Sequence, residues 1–286
     1  MIRGLLISLP SSLLFLLLVL NSPMTAWERS EKIFPVSKNP NLMVTNYTGA
    51  VSVKGWQNSE IKIISNKYSQ NVEIDFEANN SKVRVSTHVL DKLASAEKAK
   101  VDYEIYVPEE SNLDIRSNMG SVEVENIKGE VAIDVVEANV KIAGVTGYLR
   151  ARSLGSKVSV FNSKGIIQTT TVSGDIFFTK MDSNSLTALS TLGNISYDGD
   201  FSSGGKYNFS TNEGLILIQC PDQASVEWDA KTVKGVIESD LPIKSKMHRP
   251  APHDSYGKQS LLGTLNTGDA TVQLSTFSGK IKIKRQ

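Results

Sequence analysis

The chain has 286 residues and a formal net charge of +1 at pH 7, from 31 Lys and Arg against 30 Asp and Glu. This nearly equal number of positive and negative residues gives no sign of the concentrated basic patch that a nucleic-acid-binding surface requires. The lone cysteine, Cys220, excludes an internal disulfide, and its place at the end of an apolar strand favours a buried, inert thiol over an intermolecular bond.

The first segment is an apolar stretch from Leu5 to Leu20 that follows one basic residue. This layout is typical of a secretory signal peptide. The stretch is interrupted by a proline and two serines, and it is short for a membrane span of ~20 residues. We predict a signal peptide over residues 1–26, with cleavage after Ala26, and an uncleaved membrane anchor is the alternative. The protein is therefore expected to be exported, to the periplasm, the outer surface or the medium.

The next two segments are predicted to precede the main fold. Residues 27–40 are polar and hold two prolines, which indicates a loose lead-in. Residues 41–110 are rich in β-forming residues without a regular period, and we interpret them as a β-rich N-terminal section or cap. Within them, residues 90–100 have the one helix-like composition and indicate a short surface helix or loop. A cap is expected because an open sheet end exposes unpaired strand edges.

A repeat of short alternating strands occupies residues 111–286. In most copies an apolar pair follows a Ser/Thr-x-x-Gly corner, where glycine is expected to permit positive φ and the hydroxyl to bond nearby backbone. The first apolar residue after each corner is separated from the next by 18, 18, 18, 19, 21, 21 and 44 residues. These residues are Val122, Val140, Val158, Ile176, Ile195, Ile216, Ile237 and Ile281.

The fixed period predicts an all-β fold, a right-handed single-stranded β-helix-like solenoid with about 18–21 residues per coil. Coils stacked in chain order would turn the apolar column into an internal ladder, and Trp228 would point inward. The alternative is a β-sandwich of antiparallel hairpins. The turns lack the Asn-Gly and Asp-Gly pairs typical of such hairpins. On this interpretation Ser173-Gly174-Asp175 is a structural corner.

An insertion at residues 242–263 breaks the period and holds three prolines and two of the three histidines. Irregular excursions on a rigid scaffold often carry binding residues, and a disordered insertion is the alternative. The candidate binding residues in this insertion are His248, His253 and Tyr256. Two histidines fall short of the three or four ligands of a zinc site, so no metal or cofactor is predicted.

Other candidate residues come from the strands. Trp56 follows a glycine at a strand end and could stack on a sugar ring. The motifs of zinc proteases, serine hydrolases and phosphate loops do not occur. Polysaccharide-active β-helix enzymes use clustered carboxylates, for which Asp175, Asp198 and Asp200 are the candidates. An Asp-Gly-Asp step is more often an ordinary bend, so we predict no catalytic residues.

Four stretches resemble a family of exported bacterial proteins, the "putative adhesin" or Toastrack-like β-strand-repeat family. They are NYTGAVSVKGWQNSEIKI (46–63), VDYEIYVPEESNLDIRSNMGSVEVENIKGEV (101–131), KTVKGVIESDLP (231–242) and TGDATVQLSTFSGKIKIKR (267–285). The chain departs from the family pattern at Ala138, where glycine is usual. The resemblance implies an extracytoplasmic β-solenoid without enzymatic activity.

The function predicted from the sequence is non-catalytic binding or adhesion in the cell envelope. An envelope stress or regulatory sensor and a polysaccharide-active enzyme are the alternatives. The expected partners are an envelope polymer or envelope protein, with self-association through coil ends as a further option. No nucleic acid is expected, and membrane contact is expected only through an uncleaved leader.

Overall fold

A computed structural model describes residues 28–91, 93–246 and 259–286. These residues form an all-β structure of strands and a single 3-10 turn, Ala96–Ala99, within the stretch of helix-like composition. In the described part of the chain, no helix has the length and apolar character to cross a membrane. The predicted signal peptide lies outside the described residues.

The strands in chain order are β1 Glu28–Pro35, β2 Asn41–Trp56, β3 Glu60–Lys67, β4 Val72–Asn79, β5 Lys82–Val89, β6 Val101–Pro108, β7 Asn112–Glu125, β8 Lys128–Ala143, β9 Thr146–Ser153, β10 Val158–Phe161, β11 Lys164–Thr171, β12 Ile176–Ser190, β13 Ile195–Gly199, β14 Lys206–Thr211, β15 Ile216–Cys220, β16 Val226–Thr232, β17 Val236–Ser239, β18 Lys244–Ser245, β19 Gln259–Leu265, β20 Ala270–Thr276 and β21 Lys280–Arg285.

Two ladders of largely parallel strands run through the described residues, and the long strands β2, β7, β8 and β12 take part in both. The first ladder has the order β4-β5-β2-β7-β8-β9-β11-β12-β14-β20-β16-β19-β18. The second ladder has the order β1-β3-β6-β2-β7-β8-β10-β12-β13-β15-β21-β17. Inward side chains of both ladders form one core.

The predicted apolar column is confirmed over most of its length. Val140, Val158 and Ile176 are successive Cα partners in parallel strands and are at most 2% exposed. The column continues from Ile176 to Ile195 and then to Ile216. Parallel pairing at these positions differs from the antiparallel hairpins of a β-sandwich, which rules out that alternative here.

The predicted stacking order is wrong at the C-terminal end. Ile216 pairs with Ile281, and Ile281 pairs with Ile237, so the last repeat lies between two earlier ones. The reason is the path of the insertion, part of which forms β18 and β19. Because β19 runs antiparallel along one side of β16, β20 occupies the other side. The final repeat therefore separates β14 from β16 and β15 from β17.

The corner prediction is half right. The hydroxyls of Thr211 and Thr276 each accept a hydrogen bond from the glycine N–H three residues later, at 3.2 and 2.9 Å. Positive φ is not the reason for Gly214 or Gly279, since neither has it. A Cβ on Gly279 would lie 2.0 Å from the carbonyl oxygen of Gly214, so these corners need glycine for close backbone approach.

The N-terminal end is closed by antiparallel strands. The segment predicted as a loose lead-in contains β1, which pairs with β3 over its whole length. In the same region β4 pairs antiparallel with β5. β2 itself is part of the main stack, because Val51 is the Cα partner of Val122. Charged residues along β1 and β4 are typical of protected sheet edges.

Candidate functional site

An aromatic patch lies on the outer face of the second ladder, near the N-terminal end. Trp56, at the end of β2, is half-buried, and its Nε1–H donates to the backbone oxygen of Glu60 at 2.9 Å. The Tyr106 ring of β6 lies beside it, with ring centroids 5.3 Å apart and planes tilted by 31°. We define the aromatic patch as Trp56, Lys62 and Tyr106.

Lys62 and Glu104 complete the surroundings of the aromatic patch. The Lys62 Nζ lies 4.9 Å from the Tyr106 ring centroid and 5.7 Å from that of Trp56, within cation–π range. The Tyr106 hydroxyl donates to Glu104 Oε1 at 2.5 Å, and this bond raises the pKa of Tyr106. An apolar ring surface edged by charged and polar groups suits a ligand that is itself amphipathic, such as a sugar.

The prediction for Trp56 did not include Tyr106. The two residues meet because β2 and β6 pair in parallel, with Lys54 opposite Tyr106 and Trp56 opposite Pro108. About fifty positions separate the paired strands, so local periodicity cannot show the contact. The sequence feature that could identify Tyr106 is its outward-facing position in the alternating segment VDYEIYVP.

Further along the outer face of the second ladder, charged side chains pair across adjacent strands. Lys141 Nζ lies 2.5 Å from Glu123 Oε1, and Lys280 Nζ lies 2.5 Å from Glu238 Oε1. The hydrogen bond from each lysine lowers the pKa of its partner carboxyl group. Much of the charge on this face is therefore neutralised by salt bridges between its own side chains.

The outer face of the first ladder differs in its middle strands, β11, β12, β14 and β20. Two adjacent rows of outward side chains there contain no charged residue, and we call them the neutral face. The rows are Gln168, Thr187, Asn208 and Gln273, and Thr170, Leu189, Ser210 and Ser275. Gln168 and Gln273 are exposed, and Thr187 and Asn208 are half-buried.

Of the candidate carboxylates, Asp175 lies apart from Asp198. Asp175 accepts hydrogen bonds from the backbone and side-chain nitrogens of Asn194, at 2.8 and 3.1 Å. Asp198 lies four residues beyond Asn194 on the neighbouring strand and accepts from Gln286 Nε2 at 2.6 Å. Four strand residues span about 13 Å, beyond the carboxylate separations of glycosidases. Asp175 thus stabilises a corner, as the structural interpretation predicts.

The remaining site predictions fall partly outside the described residues, which exclude His248, His253 and Tyr256. Among the residues that are described, no group of three or more His, Cys, Asp or Glu side chains could hold a metal ion. Trp228 is fully buried, as predicted, and packs edge-to-face on Phe201 with ring centroids 5.7 Å apart.

Cys220 is a fully buried free thiol, as predicted, and burial raises its pKa from 9.0 to about 12. We expect a thiol reagent such as DTNB to label it far more slowly in the folded protein than in denaturant at pH 8. Above pH 9 the unfolded state loses the thiol proton first, so the free energy of unfolding should fall as pH rises from 9 towards 12. A Cys220→Ser variant is the control for both measurements. Equal labelling of folded and denatured protein would contradict the buried position.

Comparisons with known proteins found a family model and several solved structures that are similar to this chain. A family model described as Toastrack DUF4097 matches residues 36–284. A "putative adhesin" from Bacteroides fragilis is 9% identical, with 91% of this chain and 97% of that chain covered and a TM-score of 0.47. One from Parabacteroides distasonis is 12% identical, with 91% and 98% covered and a TM-score of 0.34. A "putative cell adhesion protein" from Clostridium sporogenes is 12% identical, with 91% and 100% covered and a TM-score of 0.27. No curated protein matches the sequence.

Proposed function

The chain belongs to the Toastrack DUF4097 family, and on that premise we propose that it is a non-catalytic binding or adhesion protein of the cell envelope. The proposal includes export by the leader at residues 1–26 and a right-handed solenoid of about 18–21 residues per coil. Its partner is an envelope polymer or an envelope protein. Sensing of envelope stress and activity on polysaccharides stay alternative hypotheses.

The aromatic patch is the observation that supports this proposal. Its two rings are fixed by the strand pairing and by the bond from Trp56 to Glu60. An aromatic surface that is already ordered loses little conformational entropy when a partner binds. Rigid aromatic residues also dominate the energetics of many binding surfaces. The aromatic patch lies on two paired strands of the second ladder, which hold its rings in a fixed orientation.

Replacing Trp56 by alanine should weaken binding. We expect retention of the partner from envelope extract to fall about tenfold, because truncating a central aromatic residue typically costs more than 1 kcal/mol. A Trp56→Phe variant loses the hydrogen bond to Glu60. Because it keeps an aromatic face, it should retain most of the binding. Immobilised protein, extract of the producing cells, and quantification of bound glycan and protein provide the measurement.

Phe277→Ala is the matched control, since Phe277 is an aromatic residue at a corner and is 48% exposed. It should leave retention unchanged. Circular dichroism melts establish that each variant is folded. Equal retention by the wild type and Trp56→Ala would remove the aromatic patch from the proposal. Failure of the wild type to retain any envelope component would count against the proposed function.

A further inference from the structure

A stripe of exposed apolar side chains runs along one corner of the stacked repeats, where each repeat turns from the first ladder towards the second. The residues just before this turn are successive Cα partners, from Asn46 of β2 to Thr276 of β20. The side chains that follow them therefore lie one above another at the strand spacing. Those that are apolar are 39–58% exposed, and we call them the corner stripe: Tyr47, Val136, Leu154, Val172, Leu192 and Phe277.

Two exposed asparagines belong to the same column. Asn118 comes after the first apolar member, and Asn212 comes before the last. Leu192 lies one residue later in its corner than the other members, but its N–H donates to the Val172 carbonyl oxygen at 2.8 Å, which keeps it in the column. From one end to the other, the column is therefore apolar, polar, four times apolar, polar and apolar. This order is the same in both directions.

A symmetric column can pair with a second copy of itself, since a two-fold axis sets identical surfaces against each other. If the copies are antiparallel and the axis passes between Leu154 and Val172, every apolar member faces an apolar member. Leu154 then faces Val172 of the second copy. Asn118 faces Asn212, and their amide groups can both donate and accept. A shift of one repeat in either direction would set each asparagine against an apolar side chain.

The charges beside the corner stripe argue against copies that lie parallel. Glu137, Arg152 and Glu213 are exposed and, within the described part of the chain, form no ion pair. In a parallel pair each repeat faces itself, so Glu137 would meet Glu137 and Glu213 would meet Glu213. Arg152, on one side of the corner, would meet Lys157 from the other side of the corner in the second copy. Like charges placed opposite each other disfavour this arrangement.

The antiparallel arrangement removes these repulsions. Both glutamates then face corners that carry no charged residue. Arg152 faces Thr170, its Cα partner in the adjacent repeat. Lys157, whose Nζ lies 5.0 Å from the Phe177 ring centroid, faces Asp175, because the two residues precede the paired positions Val158 and Ile176. Opposite charges therefore meet at two symmetry-related contacts of the antiparallel pair.

The exposed area is sufficient for a weak, specific dimer. The six apolar members expose roughly 600 Å² per copy, so pairing could remove about 1,200 Å² from water, the lower limit for stable interfaces. A patch of about 600 Å² is also at the upper end of those that monomeric proteins expose. Tyr47 and Phe277 lie at the rim of this interface, where truncation of a side chain costs little. The stability of the dimer should therefore depend on the four central residues.

We propose that the corner stripe is the interface of an antiparallel homodimer, with the two-fold axis between Leu154 and Val172. This inference adds an assembly to the proposed binding function and does not depend on it. Because the aromatic patch lies near the N-terminal end, an antiparallel dimer carries one aromatic patch at each end. Two patches on one particle would raise the avidity for a polymeric partner.

Sedimentation velocity of the full mature chain over a range of concentrations tests the interface. The wild type should be a dimer at about 100 µM, since an interface of this size is expected to bind in the micromolar range. Leu154→Glu should raise the dissociation constant of the dimer at least about tenfold, because it sets a charge against Val172 at both symmetry-related contacts. Val172→Lys should have the same effect from the other side of each contact.

An equimolar mixture of these two variants tests the register. In a dimer with one copy of each, the two introduced opposite charges meet at one contact, and the wild-type pair remains at the other. The mixture should therefore regain the dimer that each variant alone has lost. Val233→Glu is the matched control, because Val233 follows the next strand end, Thr232, and is 42% exposed, yet lies beyond the paired length of the column. It should leave the dimer unchanged.

Circular dichroism melts establish that each variant is folded. The inference is overturned if the wild type stays monomeric, if Leu154→Glu dimerises as the wild type does, or if the mixture fails to regain the dimer. A weaker dimer in Val233→Glu would equally overturn the register. A monomeric wild type that floats with phosphatidylcholine vesicles, when Leu154→Glu does not, would assign the corner stripe to a membrane surface and reject the homodimer.

Discussion

Replacing Ile281 by alanine should destabilise the protein by about 3–4 kcal/mol, which is within the usual range for a buried isoleucine. Ile281 is fully buried and is the Cα partner of both Ile216 and Ile237. Its side chain therefore contacts a repeat on each side, and a cavity there weakens two interfaces between repeats. The shift of the urea unfolding midpoint, followed by circular dichroism, is the measurement.

Ile237→Ala is the matched control, because the residue type and the position after a Thr-x-x-Gly corner are the same. Ile237 is only partly buried, in the outermost strand of the second ladder. We expect it to cost about 1 kcal/mol, in proportion to the smaller apolar area removed from water. If the repeats were stacked in chain order, the two costs would be reversed. A larger effect at Ile237 than at Ile281 would therefore contradict the observed order.

The sequence predicts the all-β class and the apolar column because both depend on local information. In a half-buried strand, alternate side chains share one face, so the inward positions of Val140 and Val158 follow from the alternation alone. The period between corners then predicts which residues stack on each other. Its success at these positions shows that nearest-neighbour stacking governs the middle of the chain.

The order of the last repeats could not be predicted in the same way. Ile237 and Ile281 follow almost identical corners, and either would fit on Ile216. What decides between them is the antiparallel pairing of β16 with β19, a strand that begins inside the segment interpreted as an insertion. This pairing is a non-local choice, and no periodic signal in the sequence reports it.

The candidate sites show the same difference between what local sequence information predicts and what depends on strand pairing. Trp56 could be selected as a single residue, whereas its contact with Tyr106 depends on the parallel pairing of β2 with β6. The neutral face was not predicted, because each of its two rows takes one side chain from each of four strands. Each such residue is an ordinary residue in its own strand. The rows become visible only when the register between the strands is known.

The corner glycine Gly120 has the predicted positive φ, whereas Gly214 does not and is explained by close backbone approach, which Gly214→Ala tests. A Cβ on Gly214 would lie 2.1 Å from the carbonyl oxygen of Gly193 and 2.7 Å from its carbonyl carbon. That oxygen also accepts a hydrogen bond from the Thr211 hydroxyl at 3.0 Å, so the backbone cannot move away without losing it. We expect a loss of about 3 kcal/mol, measured as the change in the free energy of unfolding.

Gly155→Ala provides the comparison, because Gly155 also lies in a corner without positive φ. The nearest heavy atom to an added Cβ there is Ser173 Oγ, at 3.7 Å, which is ordinary van der Waals contact. Both substitutions reduce the entropy of the unfolded chain by the same amount, so their difference isolates the backbone contact. Gly155→Ala should change stability by less than about 1 kcal/mol, or increase it slightly. Similar losses in the two variants would mean that conformation, rather than close approach of adjacent repeats, selects glycine at these corners.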